Sequence, residues 1–70
     1  YEEFIMLRLR LTEGFSFRQC ASDTGTDIRR TRSSELEALQ RGGYIIINGD
    51  NCRLSDKGMD LCDAVTLQLI

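Results

Sequence analysis

The stretch Arg41–Gly58, RGGYIIINGDNCRLSDKG, contains the signals that decide the fold. One of its two leading glycines supplies the left-handed residue with which a helix commonly ends. Tyr44–Ile47 is rich in strand-forming residues, and Asn48-Gly49 is a strong hairpin signal. Ser55 then stands where it can cap a final helix. The stretch therefore predicts a helix end, a short two-stranded antiparallel hairpin over residues 45–54, and a new helix.

Three further helices are predicted before the hairpin. The first covers residues 2–11, and its predicted inner stripe is Phe4, Leu7 and Leu11, widened by Ile5 and Leu9. The second begins at Ser16, which matches a capping box with Gln19, and runs to about residue 22. The third covers residues 27–41, with Ile28, Leu36 and Leu39 inward; residues 31–34 are poor helix formers, so the helix can break there.

The last helix shows an amphipathic pattern in which Leu61, Cys62, Val65 and Leu69 share one face. The predicted order is α-α-α-β-β-α, a mainly helical α+β fold that resembles a winged helix. Residues 1–70 make one domain of a size that can form only a small core. Because a helical pattern is already present at Tyr1, with no initiator methionine, we expect a C-terminal fragment of a longer protein.

The composition narrows the classes of function. The formal net charge is −2, with 11 acidic and nine basic side chains, which counts against a protein that mainly binds nucleic acid. The three cysteines are widely spaced and histidine is absent, so neither a metal site nor a histidine-containing catalytic triad is expected. The paired carboxylates are interpreted as charged side chains on the exposed faces of helices. No catalytic, cofactor-binding or metal-binding residue is assigned, and a reduced, cytoplasmic chain without a membrane span is predicted.

The arginines Arg29, Arg30 and Arg32 form the clearest candidate for another function. We expect them to be exposed on the third helix, the element that enters the major groove in DNA-binding proteins of winged-helix type. The alternative is therefore a DNA-binding domain of a transcriptional regulator, with Arg53 adding a phosphate contact. Acidic side chains on the same elements and the low isoelectric point count against it.

The opening Glu3–Gly14, EFIMLRLRLTEG, resembles the start of the C-terminal domain of the oxygen-independent coproporphyrinogen III oxidase family (HemN and HemW type). The pair Gly43-Tyr44, the motif Leu54–Gly58 and the ending Leu61–Val65 also resemble the family pattern, so the resemblance covers nearly the whole chain. The sequence departs from that pattern at three positions. Arg8 stands where the family usually has glycine, and phenylalanines are common at the positions of Cys20 and Thr24.

The resemblance implies what the parent protein does. Family members carry an N-terminal radical S-adenosylmethionine barrel with a 4Fe-4S cluster held by a Cys-x3-Cys-x2-Cys motif, which this chain lacks. They oxidatively decarboxylate coproporphyrinogen III in porphyrin biosynthesis or, in one branch, are regarded as heme chaperones. This chain would be an accessory domain that packs on the barrel and is not catalytic alone. The first helix and Arg8 are the predicted contact surface, and porphyrin or heme would be a partner through the parent.

Overall fold

The structure, a computed structural model, describes all residues 1–70. It contains six helices and a three-stranded antiparallel sheet, which confirms the mainly helical α+β class. The winged-helix likeness stays a prediction. In chain order the elements are α1 (Glu2–Arg8), β1 (Phe15–Ser16), α2 (Phe17–Thr24), α3 (Ile28–Thr31), α4 (Ser33–Arg41), β2 (Ile45–Asn48), β3 (Asn51–Leu54), α5 (Asp56–Asp60) and α6 (Cys62–Leu69).

The predicted hairpin is present as β2 and β3, with Ile45 opposite Leu54 and the turn residue Gly49 at φ 62°. The prediction of only two strands was wrong, because β1 pairs with the other edge of β3 and gives the strand order β1-β3-β2. Phe15 lies opposite Cys52 in that pairing. A strand of two residues is too short to show an alternating pattern, so the sequence carries no signal for it.

The buried face of α1 differs from the predicted stripe. Ile5 and Leu9 are fully buried, whereas Leu7 is 63% exposed and Leu11 is 42% exposed. The helix ends at Arg8 rather than at residue 11. Beyond that point the chain forms turns, which carry Leu11 away from the helical face. Ile5 and Leu9, which were predicted only to widen the apolar stripe of the helix, are therefore the centre of its buried face.

The cap of α2 is half of the predicted capping box. Ser16 Oγ accepts a hydrogen bond from the backbone N–H of Gln19 at 3.1 Å, as expected. The side chain of Gln19 does not reach back, because it donates to Asp23 Oδ1 at 2.8 Å instead. The helix ends at Thr24 and is capped by Gly25, which has φ 76°.

Two helices that the sequence suggests are long are each divided in two. The third breaks at Arg32 (φ −124°, ψ 31°), within the stretch where a break was predicted. The last breaks at Leu61 (φ −119°, ψ 33°), which was not predicted. As a result Leu61 is 47% exposed, and only Val65 and Leu69 of the expected stripe are fully inside.

One hydrophobic core of 13 buried residues joins the helices to the sheet. As predicted, Ile28, Leu36 and Leu39 belong to it. Cys20 also lies in this core, with Thr24 bonded back to its carbonyl oxygen at 2.7 Å. At Ser55 the hydroxyl accepts from the N–H of Gly58 at 3.1 Å, which confirms the predicted cap of α5.

Candidate interaction surface

The exposed side of α1 combines a basic and an apolar side chain. Arg8 is exposed, and its guanidinium carbon lies 5.0 Å from the centroid of the Phe4 ring. Phe4 in turn packs edge-on against Phe15, with ring centroids 5.9 Å apart. Leu7, next to Arg8, is the second most exposed large hydrophobic residue of the chain. The surface predicted from the sequence thus points outward, and its role in binding stays a prediction.

A groove with a volume of about 200 Å³ lies between α1 and α6. We call it the α1–α6 groove, and its lining residues are Met6, Arg10, Asp63, Thr66, Leu67 and Ile70. Leu67 is 70% exposed and Met6 is 43% exposed. Arg10 and Asp63 approach to 4.0 Å across it, but both are largely exposed, so this ion pair adds little stability.

The end of the α1–α6 groove is fixed by contacts from two other parts of the chain. The Tyr1 hydroxyl donates to the carbonyl oxygen of Leu69, and Arg32 Nη2 donates to the carbonyl oxygen of Ile70 at 3.0 Å. Partial burial raises the pKa of Tyr1. The first bond holds the start of α1 against the end of α6, and the second ties the break between α3 and α4 to the same end.

The three arginines of the alternative function do not form one basic face. Arg29 donates to the carbonyl oxygen of Gly49, and its guanidinium lies 4.2 Å from the ring centroid of Phe17. Arg32 is half-buried, so its predicted exposure was wrong; its guanidinium group is directed to the end of α6, and its Nε has no partner. Arg30 is exposed. The side chains of Arg29 and Arg32 are therefore already bonded within the domain.

The tip of the hairpin is tied to the start of α2 through Asp50. The Ser16 hydroxyl donates to its carboxylate, and the backbone N–H of Arg18 donates to Asp50 Oδ1 at 3.1 Å. The N–H of Phe17 donates to the Asp50 carbonyl oxygen at 2.8 Å. The bond from Ser16 is the main reason why the pKa of Asp50 lies below its ordinary value. A carboxylate at this tip opposes the approach of a phosphate.

This contact predicts a pH dependence of stability. Because the folded-state pKa of Asp50 is lowered, its stabilisation is present above the ordinary aspartate pKa of about 3.9 and is lost as the pH falls through the lowered value. We expect Asp50→Asn to be less stable than the wild type at neutral pH, with the gap narrowing as the pH falls below about 3.9. Urea unfolding of both proteins across this range measures it; a constant gap would contradict the assignment.

A second groove, of about 340 Å³, lies between α4 and α6. Its lining includes Leu39, Tyr44, Leu61 and Ala64, with the polar Glu35 and Gln68 among them. Lys57 closes one side of Tyr44, since its Nζ lies 4.5 Å from the ring centroid and donates to the carbonyl oxygen of Gly42 at 3.0 Å. This groove contains apolar walls but no assembled cluster of titratable groups.

The cysteines of this chain do not fit an iron–sulfur cluster. Cys20 and Cys52 are buried, and Cys62 is half-buried. Burial raises the pKa of Cys52 to about 12 and also raises that of Cys20, so both side chains are protonated thiols at neutral pH. No three histidine, cysteine, aspartate or glutamate side chains lie where they could share a metal ion.

Sequence reasoning missed the residues that line the α1–α6 groove. Met6 was noted only as part of the opening motif, and Leu67 lies outside the stripe predicted for the last helix. The available signal is that Leu67 is an apolar residue two positions after Val65, on the opposite side of the helix. Only the packing of the first helix on the last shows that Leu67 and Met6 line the same groove.

A comparison with models of protein families gave a match that begins at Tyr1. The family model described as the HemN C-terminal domain matches residues 1–61. The chain belongs to the HemN C-terminal domain family. The match includes α1 and the hairpin of this HemN C-terminal domain, while α6 lies beyond the matched residues. The suspected resemblance is thereby confirmed.

Two further comparisons, with curated proteins and with solved structures, were made for this HemN C-terminal domain. Neither the search of curated proteins nor the search of solved structures gave a significant match. None of the helices has both the length and the hydrophobicity needed to cross a membrane.

Proposed function

We propose that this HemN C-terminal domain is the accessory domain of a radical S-adenosylmethionine protein of the oxygen-independent coproporphyrinogen III oxidase type, or of its heme-chaperone relatives. The family match over residues 1–61 is the observation that carries the proposal. The parent acts in the cytoplasm in porphyrin metabolism. Its N-terminal barrel binds S-adenosylmethionine and the 4Fe-4S cluster and contacts the porphyrin or heme.

The domain's own contribution is to pack on that barrel, and it is not catalytic alone. Support comes from the outward side of α1, where Leu7 is 63% exposed beside Arg8. Covering the remaining exposed surface of this leucine is favourable by about 1–2 kcal/mol. Arg8 adds a charged group that can pair with a carboxylate and that carries an apolar stem along the same surface. An apolar centre beside a charged edge is typical of a protein interface.

Charge reversal at Arg8 tests the docking in the full-length parent. We expect Arg8→Glu to weaken the contact and to make limited proteolysis between the domains several-fold faster, because a locally undocked segment is cleaved in proportion to its open population. Arg30→Glu is the matched control, since Arg30 is also an exposed arginine but lies on α3.

The control variant should be cleaved at the rate of the wild type. Equal rates for the wild type and both variants would contradict a contact through Arg8. Faster cleavage in both variants would indicate a general effect of charge rather than a local interface.

A further inference from the structure

The tip of the β2–β3 hairpin carries a sequence with a chemistry of its own. Asn48 ends β2 and is followed by Gly49, the turn residue with φ 62°. When glycine follows asparagine, the glycine nitrogen can attack the side-chain amide carbon, because a five-membered ring forms and no Cβ atom obstructs the approach. The chain contains two asparagines, Asn48 and Asn51, and only Asn48 precedes a glycine.

Both reacting groups of this pair are free in the structure. Asn48 and Gly49 are exposed, and the side-chain amide of Asn48 makes no hydrogen bond. The backbone N–H of Gly49 is also without a hydrogen-bond partner. A Cβ atom built on Gly49 would meet nothing within 4 Å apart from its chain neighbours, so the turn is not crowded. Neither the electrophilic carbon nor the nucleophilic nitrogen is therefore blocked by another part of the chain.

Asn51 differs from Asn48 in each of these respects. Its side-chain Nδ2 donates to the carbonyl oxygen of Glu13 at 2.9 Å. The residue that follows it, Cys52, is fully buried and lies opposite Phe15 in the centre of the sheet. Attack by the Cys52 nitrogen would require this strand pairing to break. Asn51 is thus an internal control for the effect of the turn.

The ladder between β2 and β3 opposes the reaction but does not enclose its site. Asn48 lies opposite Asn51, so its backbone must leave the extended conformation before the Gly49 nitrogen can reach the amide carbon. Asn48 is the last residue of the strand, with only the turn beyond it. Positions of this kind open locally at a small fraction of the free energy of global unfolding. We therefore expect the reaction to proceed in the folded protein, more slowly than in the denatured chain.

We propose that Asn48 is a site of spontaneous modification, at which it converts to aspartate and isoaspartate through a succinimide formed with Gly49. The Gly49 nitrogen bonds to Asn48 Cγ, and the side-chain nitrogen leaves as ammonia with the proton that the Gly49 nitrogen releases. Water then opens the ring. Attack of water at Cγ leaves aspartate, whereas attack at the backbone carbonyl carbon leaves isoaspartate, in which the main chain runs through Cβ and Cγ.

The two products change the hairpin in different ways. Aspartate adds one negative charge close to Asp50. Isoaspartate adds the same charge and also inserts one methylene group into the main chain at the residue that pairs with Asn51. A lengthened turn does not keep the original register, since turn type and loop length fix the pairing of a hairpin. The hydrogen bonds that tie Asp50 to Ser16 and Arg18 depend on this turn, so isoaspartate is expected to loosen the tip from α2.

Ageing of the full-length parent at neutral pH and physiological temperature tests this assignment. Samples are taken over weeks and digested, and fragment spectra assign each conversion to Asn48 or Asn51 and distinguish isoaspartate from aspartate. Asn48→Gln is the matched control, because glutamine keeps the amide but would have to form a six-membered ring. Wild-type protein aged in denaturant gives the rate that the sequence allows without the fold.

We expect conversion at Asn48 in the folded parent to be at least about tenfold faster than at Asn51, since its ring closure meets the lower barrier. Isoaspartate and aspartate should both form, and Asn48→Gln should remain unmodified at that position. An unmodified Asn48 in the folded parent, with conversion only in denaturant, would overturn the proposal, because the hairpin would then keep the reacting groups apart. Equal rates at both asparagines, or aspartate without isoaspartate, would overturn the succinimide route.

Discussion

Replacing Gly14 with alanine is expected to lower the free energy of unfolding by at least about 3 kcal/mol, through two costs at one position. Gly14 has φ 70°, a left-handed conformation that other residues adopt at a penalty. A Cβ atom there would also overlap the Cys52 carbonyl oxygen and lie 2.6 Å from Arg53 Cα. Both neighbours are backbone of β3, so they cannot turn aside as a flexible side chain can.

Gly25→Ala is the matched control for the backbone conformation alone. Gly25 has φ 76°, but no atom lies within 4 Å of a Cβ built on it. We expect a loss of about 1 kcal/mol there. Urea unfolding of both variants measures the difference. Similar losses for Gly14→Ala and Gly25→Ala would contradict the close approach of Gly14 to β3.

The second large effect concerns the buried face of α1. Leu9→Ala should lower the free energy of unfolding by about 2–5 kcal/mol, because Leu9 is fully buried and its loss leaves a cavity. A chain of this length has a total stability of about 4–10 kcal/mol, so this variant is expected to lose a large part of it.

Leu7→Ala is the control, since Leu7 lies on the same helix but is 63% exposed. Its expected effect on the isolated chain is within about 0.5 kcal/mol. Comparing the thermal or urea unfolding of the two variants distinguishes the observed face of α1 from the stripe predicted by the sequence. A larger loss for Leu7→Ala than for Leu9→Ala would support the stripe and contradict the structure.

The sequence predicted the elements whose signals are local. Asn48-Gly49 encodes its own turn, and Ser16 and Ser55 cap the helices that they precede. The face of α1 could not be chosen in this way. Apolar residues stand at nearly every position of its opening run, so more than one stripe satisfies the helical period, and only packing against the remaining elements selects Ile5 and Leu9.

The candidate interaction surfaces could be predicted from the sequence even less well than the buried face of α1. Arg29 and Arg32 are close in sequence to Arg30, but the carbonyl groups that they bond, at Gly49 and Ile70, belong to distant parts of the chain. The α1–α6 groove likewise joins Met6 to Leu67 across almost the full length of the domain. Contacts of this kind depend on the tertiary fold, which is why the sequence placed Arg8 on an exposed helix but did not reveal the groove beside it.

The coding sequence upstream of Tyr1 in the parent gene tests the proposed function most directly. We predict an in-frame barrel domain with a Cys-x3-Cys-x2-Cys motif for the 4Fe-4S cluster. A ligand-sensing domain in its place, or an initiator methionine directly before Tyr1, would contradict the proposal that this chain is the accessory domain of a radical S-adenosylmethionine protein.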